Sequence, residues 1–308
     1  KRASNSAIMS EDKALSESGR ASVMRATPGI GCSVTVWGVE VMGRRVVGKS
    51  THDFTMVGMS LAPALPWMQP GDPFPNPSQA WGEQTPAPGL LAAGSELTPE
   101  RLIEAYGQGI FPWFSQGQPV LWYCTHPRMV LRPTEFVLHD NLRKRIRRLL
   151  RDDRLQVRFD DDFKQVIEHC ARSPREGQGG TWIVPQMIKA YTALHGMGHA
   201  HAVTAWVDGQ LAGGLYGVMI GRMLYGESMF TLSPDGSKIA LAALVAWARE
   251  HELQMIDCQQ ETRHLHFMGA RAMARDDFLQ ELATLVKMPA PEWAFSPSFW
   301  QHLWPETT

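Results

Sequence analysis

The chain has 308 residues, 44% hydrophobic and 20% charged, a globular composition long enough for two domains of ordinary size and a sizeable core. Thirty basic residues against thirty-one acidic ones leave a formal net charge of −1, which excludes nucleic-acid binding by overall charge and leaves local clustering as the only route. No apolar run approaches the length of a membrane span or a signal peptide, and four scattered cysteines without C-x-x-C spacing exclude a zinc ribbon or disulfide framework and fit the cytosol.

Residues 1–61 lack sustained periodicity and are rich in Ser, Gly and Arg; they read as a disordered extension or as sequence upstream of a true start at Met56 or Met59. The run around Val34 to Val41 is strand-like. From Pro63 to Pro88 the density of proline predicts extended covering loops, because proline fixes φ and withholds an amide donor. Thr98-Pro99-Glu100-Arg101 then opens a helix, with Thr98 as N-cap and Leu102, Ile103 and Tyr106 on its apolar face, ending at Gly107 to Gly109. Ile110 to Phe114 and Val120 to Tyr123 flank a polar turn and predict an aromatic hairpin. Trp122 reads as its core; Trp113, between a proline and the turn, reads as a rim indole able to stack on a base.

Asn141 to Arg154 holds seven basic residues, with Leu142, Ile146, Leu149 and Leu150 at helical spacing. The opposite stripe, Arg143, Lys144, Arg147, Arg148 and Arg151, is either a solvated face or a set of phosphate contacts. Regular alternation follows: strand Leu155 to Phe159, helix Phe163 to Arg172, helix Pro185 to His195, and strands His201 to Val207, Leu211 to Ile220 and Met223 to Phe230. Asp208-Gly209 predicts a two-residue hairpin between the first two of those strands. Helix Lys238 to Glu250, strand Gln254 to Cys258 and helix Arg275 to Leu285 complete an α/β (α+β) pattern with a mixed sheet of the acyltransferase sort.

Two of those strands carry acidic residues in apolar surroundings. In Gln254 to Gln260, Asp257 and Gln259 are two positions apart and so share a face, which makes the Gln259 amide a candidate donor to the Asp257 carboxylate. In Met223 to Phe230, the same period puts Met223, Tyr225, Glu227 and Met229 on one face. His195, His199 and His201 invite a metal reading, but Gly196 and Gly198 break the helix that would align the first two and no carboxylate follows at ligand spacing, so no metal is expected.

Several segments are recognisable together: F-P-W-F-S at Phe111 to Ser115, L-W-Y-x-x-x-P-R at Leu121 to Arg128, G-T-W-I at Gly180 to Ile183, G-H-A-H at Gly198 to His201, G-G-L-Y-G-V at Gly213 to Val218, G-E-S-M-F at Gly226 to Phe230 and I-D-C-Q at Ile256 to Gln259. The set closely resembles the leucyl/phenylalanyl-tRNA protein transferases, bacterial enzymes that move an amino acid from charged tRNA onto a protein N-terminus. The match runs from about residue 75 to about residue 303 in the family's order.

The resemblance implies a small N-terminal domain, residues 62–126, and a GNAT-like aminoacyltransferase domain, residues 127–308, working as a monomer. Leu232 to Lys238 lacks the Q/R-x-x-G-x-G/A turn with which acetyl-CoA users hold pyrophosphate, so no CoA and no other cofactor is expected. Asp257 and Gln259 match the family's catalytic pair, and Glu227 matches a glutamate that places the acceptor or the aminoacyl amino group. Either Gln259 accepts a proton from the attacking amine or the tRNA 3′-adenosine hydroxyls shuttle it. Trp113 and Trp182 correspond to residues against the terminal adenine. Leu215, Met229, Leu241, Leu244 and Ile256 would form the donor side-chain pocket, with Leu at 215 and 244 where Met and Phe can occur. Leu, Phe and Met are therefore the implied donors, and the basic helix would follow the acceptor stem. Acceptors would carry N-terminal Arg or Lys and be marked for ATP-dependent proteolysis. The rival readings are a CoA-dependent N-acyltransferase and a non-catalytic tRNA-binding protein.

Overall fold

Thr98 opens the first helix as its sequence predicts, its Oγ1 accepting from the Arg101 N–H at 3.2 Å. The computed structural model describes residues 64–173 and 182–304, all in the second of the chain's two units, Gly48–Thr308; the strand-like run at Val34 and the starts at Met56 and Met59 lie outside the described residues. Among the described residues, β1 (Trp67–Met68), β2 (Leu90–Gly94), β3 (Phe111–Pro112) and β4 (Leu121–Tyr123) form one sheet in the order β1-β2-β4-β3, with α1 (Pro99–Gly107) between β2 and β3. The aromatic hairpin pairs Phe111 with Tyr123 and Pro112 with Trp122. Trp122 is fully buried and donates its indole N–H to the Gly94 carbonyl, as a core indole must.

The second sheet is built from β5 (Arg128–Leu131), β6 (Leu155–Phe159), β7 (Ala200–Val207), β8 (Gln210–Ile220), β9 (Met223–Thr231), β10 (Ile256–Gln259) and β11 (Arg271–Met273), in the order β11-β5-β10-β9-β8-β7-β6. Helices α2 (Asp140–Arg151), α3 (Phe163–Arg172), α4 (Pro185–Gly196), α5 (Gly236–Glu250), α6 (Arg263–Phe267) and α7 (Arg275–Leu285) accompany it. The meander β7-β8-β9 is antiparallel, while β9 and β10 run parallel through the α5 crossover, so the class is mixed α/β as expected. Asp208 and Gly209 both take positive φ, the geometry of the hairpin turn their sequence favours.

The basic helix ends three residues before its expected limit. Asp153 turns left-handed at φ 51° and Arg154 is drawn across to Asp208, whose carboxylate it meets at 2.5 Å. Strands β5 and β11 and the short α6 have no counterpart in the sequence reading. Each is too brief to show a period of its own.

Helix α5 is buried along almost its whole length and forms the centre of the main core with Leu142, Ile146 and Leu149 of α2 and Leu224 and Ile256 of the sheet. Its first turn lies directly on β8: a Cβ on Gly236 would stand 1.9 Å from the Ala212 carbonyl oxygen, and one on Gly213 would stand 2.6 Å from the Gly236 carbonyl carbon. The adjacent glycines of Gly213 to Val218 are therefore where a helix and a strand touch backbone to backbone.

Candidate active site

Two β-bulges shape the site. On β8 and β9 the pairing passes from Tyr216↔Ser228 to Gly217↔Gly226, leaving Glu227 as the extra residue; a Cβ on Gly217 would lie 2.4 Å from the Tyr225 carbonyl oxygen. The bulge resets the side-chain phase. Leu224 belongs to the α5 core and Met229 packs against it, whereas Glu227 and Tyr225 both turn to Tyr106. Met229 thus packs toward α5 while Glu227 turns toward Tyr106, although both border the same cleft.

The second bulge falls between Asp257 and Gln259 on β10, against β5. Gln259 takes φ +54°, a left-handed conformation that costs roughly 1–3 kcal/mol in a non-glycine residue. Two contacts hold it there: its N–H donates to Asp257 Oδ1 at 2.8 Å, and its carbonyl accepts from Thr125 Oγ1 at 2.8 Å. The Asp257 carboxylate therefore meets the Gln259 backbone and not the side-chain amide that the sequence suggested. Its principal partner is Arg128, which donates from Nε at 2.8 Å and from Nη2 at 2.5 Å. Neither side chain of that pair is exposed. Arg128 also donates to the Gly109 carbonyl and lies over the Phe278 ring at 4.5 Å. Burial pushes its guanidinium down, but the Asp257 charge and hydrogen bonds more than offset this and hold it above the ordinary range.

The Gln259 side chain reaches away from Asp257, and its Nε2 donates to Glu227 Oε1 at 3.3 Å. The same oxygen accepts from the Tyr106 hydroxyl at 2.8 Å, and Tyr106 in turn lies 2.5 Å from the Tyr191 hydroxyl, which is 3.5 Å from Glu227 Oε2. Burial lifts the Glu227 carboxyl to about 8, aided by the Asp257 charge and opposed by the Tyr106 hydrogen bond. Burial and the charge of Glu227 likewise raise both tyrosines well above their usual value. Tyr106, Tyr191 and Arg128 were not singled out from sequence for these roles. Arg128 closes the L-W-Y-x-x-x-P-R motif, and that was the available signal.

Above this network opens a cleft of about 340 Å³. Glu227 and Gln259 lie in its wall, and all five expected pocket residues, Leu215, Met229, Leu241, Leu244 and Ile256, line it. Trp113 and Trp182 line it as well, and both are half-buried. Trp113 meets the edge of Tyr123 at 5.4 Å. The sequence missed Leu131, Cys258, the α6 N-cap Thr262, and His264 and Leu265 of α6. Burial pushes the Cys258 thiol up to about 12, so the group is a neutral apolar contact. Asp257 does not reach the cleft; it is fully buried beneath it and acts only through Gln259 and Arg128.

On α2, Lys144, Arg147, Arg148 and Arg151 form an exposed stripe at i, i+3, i+4 and i+7. Arg143 is less free: it donates to Asp140 at 2.8 Å and to the Leu138 carbonyl at 2.9 Å. Arg147 lies over the Trp304 ring at 4.8 Å. The three histidines hold separate posts, His195 against the Ala200 carbonyl, His199 against Met219 and His201 against Asp160. Among the described residues no His, Cys, Asp and Glu cluster could hold a metal ion, and no helix is long and apolar enough to cross a membrane. At the α5 N-terminus, the amides of Gly236 and Ser237 already donate to Ser233 and Thr231.

Residues 130–283 match the family model described as leucyl/phenylalanyl-tRNA protein transferase, and residues 95–126 match the model of that family's N-terminal domain. The chain is 53% identical over 239 residues to the leucyl/phenylalanyl-tRNA protein transferase of Polaromonas sp., an alignment covering 78% of this chain and 94% of that one. It is 54% identical over 244 residues to the protein of that name from Leptothrix cholodnii, covering 78% and 95%, and 52% identical over 231 residues to that of Burkholderia pseudomallei, covering 75% and 91%. Among solved structures, an aminoglycoside acetyltransferase from an uncultured soil metagenomic sample is 13% identical over 47% of this chain and 95% of that one, at a TM-score of 0.27. The structure of L-PGS from Bacillus licheniformis is 12% identical over 52% and 49%, at a TM-score of 0.30.

Proposed function

Because the chain belongs to the leucyl/phenylalanyl-tRNA protein transferase family and is an aminoacyltransferase, we propose that it moves leucine or phenylalanine, and methionine less well, from aminoacyl-tRNA to the α-amino group of proteins with N-terminal Arg or Lys. One observation carries this reading: an apolar cleft has two indoles in its wall and the Glu227–Gln259 hydrogen bond within it. The donor side chain occupies the pocket of Leu215, Met229, Leu241, Leu244 and Ile256, and the terminal adenine stacks on Trp113 and Trp182, an interaction worth about 1–3 kcal/mol per base. The small sheet, within residues 62–126, brings Trp113 to the cleft, and residues 127–308 provide the transferase domain.

An aminoacyl ester is already activated for aminolysis, so the enzyme needs to hold amine and ester together, which can supply roughly 7–11 kcal/mol of the barrier. The acceptor nitrogen attacks the ester carbonyl, a C–N bond forms, the C–O bond to the adenosine 3′ oxygen breaks, and the amine proton ends on that oxygen. With its Nε2 committed to Glu227, the Gln259 amide presents Oε1 to the attacking amine. Asp257, anchored by Arg128, is the positioning residue that fixes the Gln259 backbone. A neutral amide is a poor base, so Gln259 orients the amine and the adenosine hydroxyls complete the proton transfer.

The stripe of Lys144, Arg147, Arg148 and Arg151, with Arg143 at its edge, contacts acceptor-stem phosphates without reading bases. The new N-terminal Leu or Phe marks the acceptor for N-degron proteolysis in the cytoplasm. The occupied amides at the α5 N-terminus and the missing glycine turn disfavour a CoA-dependent reaction. The test is transfer of radiolabelled Leu from Leu-tRNA to a protein with N-terminal Arg. Label should appear with the intact chain and fall at least tenfold with Gln259→Ala; near-normal turnover of that variant would remove Gln259 from the chemistry, and no transfer by the intact chain would refute the function.

A further inference from the structure

One aromatic pair outside the cleft has no part in the reaction just described. Phe267, the last residue of α6, is 53% exposed. The His139 ring lies against it with centroids 3.7 Å apart and planes 12° from parallel, and His139 Nε2 lies 2.7 Å from the Phe267 carbonyl oxygen. Exposed Val137 adjoins them, its N–H donating to the Met268 carbonyl. The result is a fixed aromatic surface with the outer face of Phe267 turned to solvent. A ring held in place on one side with its other face in solvent can receive a flat partner by stacking.

Its position suggests the partner. Helix α6 also supplies His264 and Leu265, and its N-cap Thr262, to the cleft wall. Phe267 is three residues beyond His264, hence on nearly the same helix face and about 4.5 Å further along the axis. His139 immediately precedes α2, whose exposed cationic stripe begins at Lys144. The aromatic pair thus adjoins the cleft wall through α6 and the start of the cationic helix through His139, beside any strand that leaves the first and reaches the second.

We propose that Phe267, backed by His139, is a second stacking platform that takes the base of the single-stranded nucleotide preceding the terminal adenosine. This rests on the aminoacyl-tRNA reading of the cleft. A phenyl face offers a single-stranded base the stacking surface it needs without reading its hydrogen-bonding edge. It also gives the donor strand a fixed exit direction, from the two tryptophans toward the basic stripe.

The test compares two donors, leucyl-adenosine, which has no nucleotide to place on Phe267, and intact Leu-tRNA. Phe267→Ala should raise KM for Leu-tRNA roughly 5- to 100-fold, the equivalent of losing one stacked base, with kcat little changed. KM for leucyl-adenosine should stay within twofold, and Phe267→Tyr should retain tight Leu-tRNA use. His139→Ala should act in the same direction more weakly. Equal losses with both donors would show that α6 merely shapes the cleft, no change with either would show an idle surface, and a change only in KM for the acceptor protein would make the patch an acceptor contact; each overturns the proposal. Failure of the wild-type chain to use either donor would instead refute the aminoacyl-tRNA reading itself.

Discussion

Arg128 and Asp257, 129 residues apart in sequence, form a doubly hydrogen-bonded ion pair with no solvent exposure on either side chain, and Asp257 then fixes the left-handed peptide of Gln259. The pair ties β5 to β10 and, through the Gly109 carbonyl, to the segment leading into the aromatic hairpin. Its enclosure makes it sensitive to the loss of one member.

Asp257→Ala leaves a buried guanidinium without its counter-charge and should destabilise the fold by about 3–5 kcal/mol in urea unfolding. Replacing both residues, Arg128→Met with Asp257→Ala, should recover much of that stability while transfer stays low, because Gln259 has lost its anchor. Additive losses in the double variant would show that the two side chains act independently.

Glu227 sets a pH dependence of stability. Its carboxyl is raised from 4.5 to about 8, so between those values the folded chain keeps a proton that the unfolded chain releases. Stability should therefore fall as pH rises through that window, by at most about 5 kcal/mol at 1.36 kcal/mol per pH unit. Glu227→Gln should flatten the slope in urea unfolding at pH 5, 6.5 and 8.5. Identical slopes in the two proteins would mean that Glu227 ionises near its ordinary value.

Donor preference should follow the volume left by Leu244, which lines the cleft and is almost fully buried. Leu244→Phe narrows the pocket and should favour Leu over Phe in relative kcat/KM by about tenfold or more, since one methylene in an apolar pocket is worth roughly 1–3 kcal/mol. An unchanged ratio would exclude Leu244 from the donor wall.

On the proposed reading, the α2 stripe should make donor affinity salt-dependent. If its exposed cations meet three or four phosphates, affinity for Leu-tRNA should fall roughly 30- to 100-fold between 50 and 200 mM salt. Lys144→Ala with Arg148→Ala should lower the slope of log K against log salt by about two. A flat response in the wild-type chain would remove the helix from the tRNA path.

Long elements were legible in the sequence because each repeats a period several times. Strand β6 and helices α3 and α7 fall on their expected limits, and β7, β8 and β9 within a residue of theirs. Part of the cleft lining was legible too, since motif resemblance named five apolar positions that the cleft does contain. Composition and motif thus determined the fold class, the family and the residue types of the site.

Only the tertiary structure decided how those residues meet. Alternation predicts faces for an unbroken strand, and the inserted residues at Glu227 and between Asp257 and Gln259 break it, so Met229 packs toward α5, Glu227 turns toward Tyr106 and the Gln259 amide turns to Glu227. The identity of Asp257's partner could not be read locally either, because Arg128 reaches it only once β5 is laid beside β10. Side-chain chemistry is written position by position, whereas contacts across a sheet depend on register, and one extra residue in a strand changes register without changing composition.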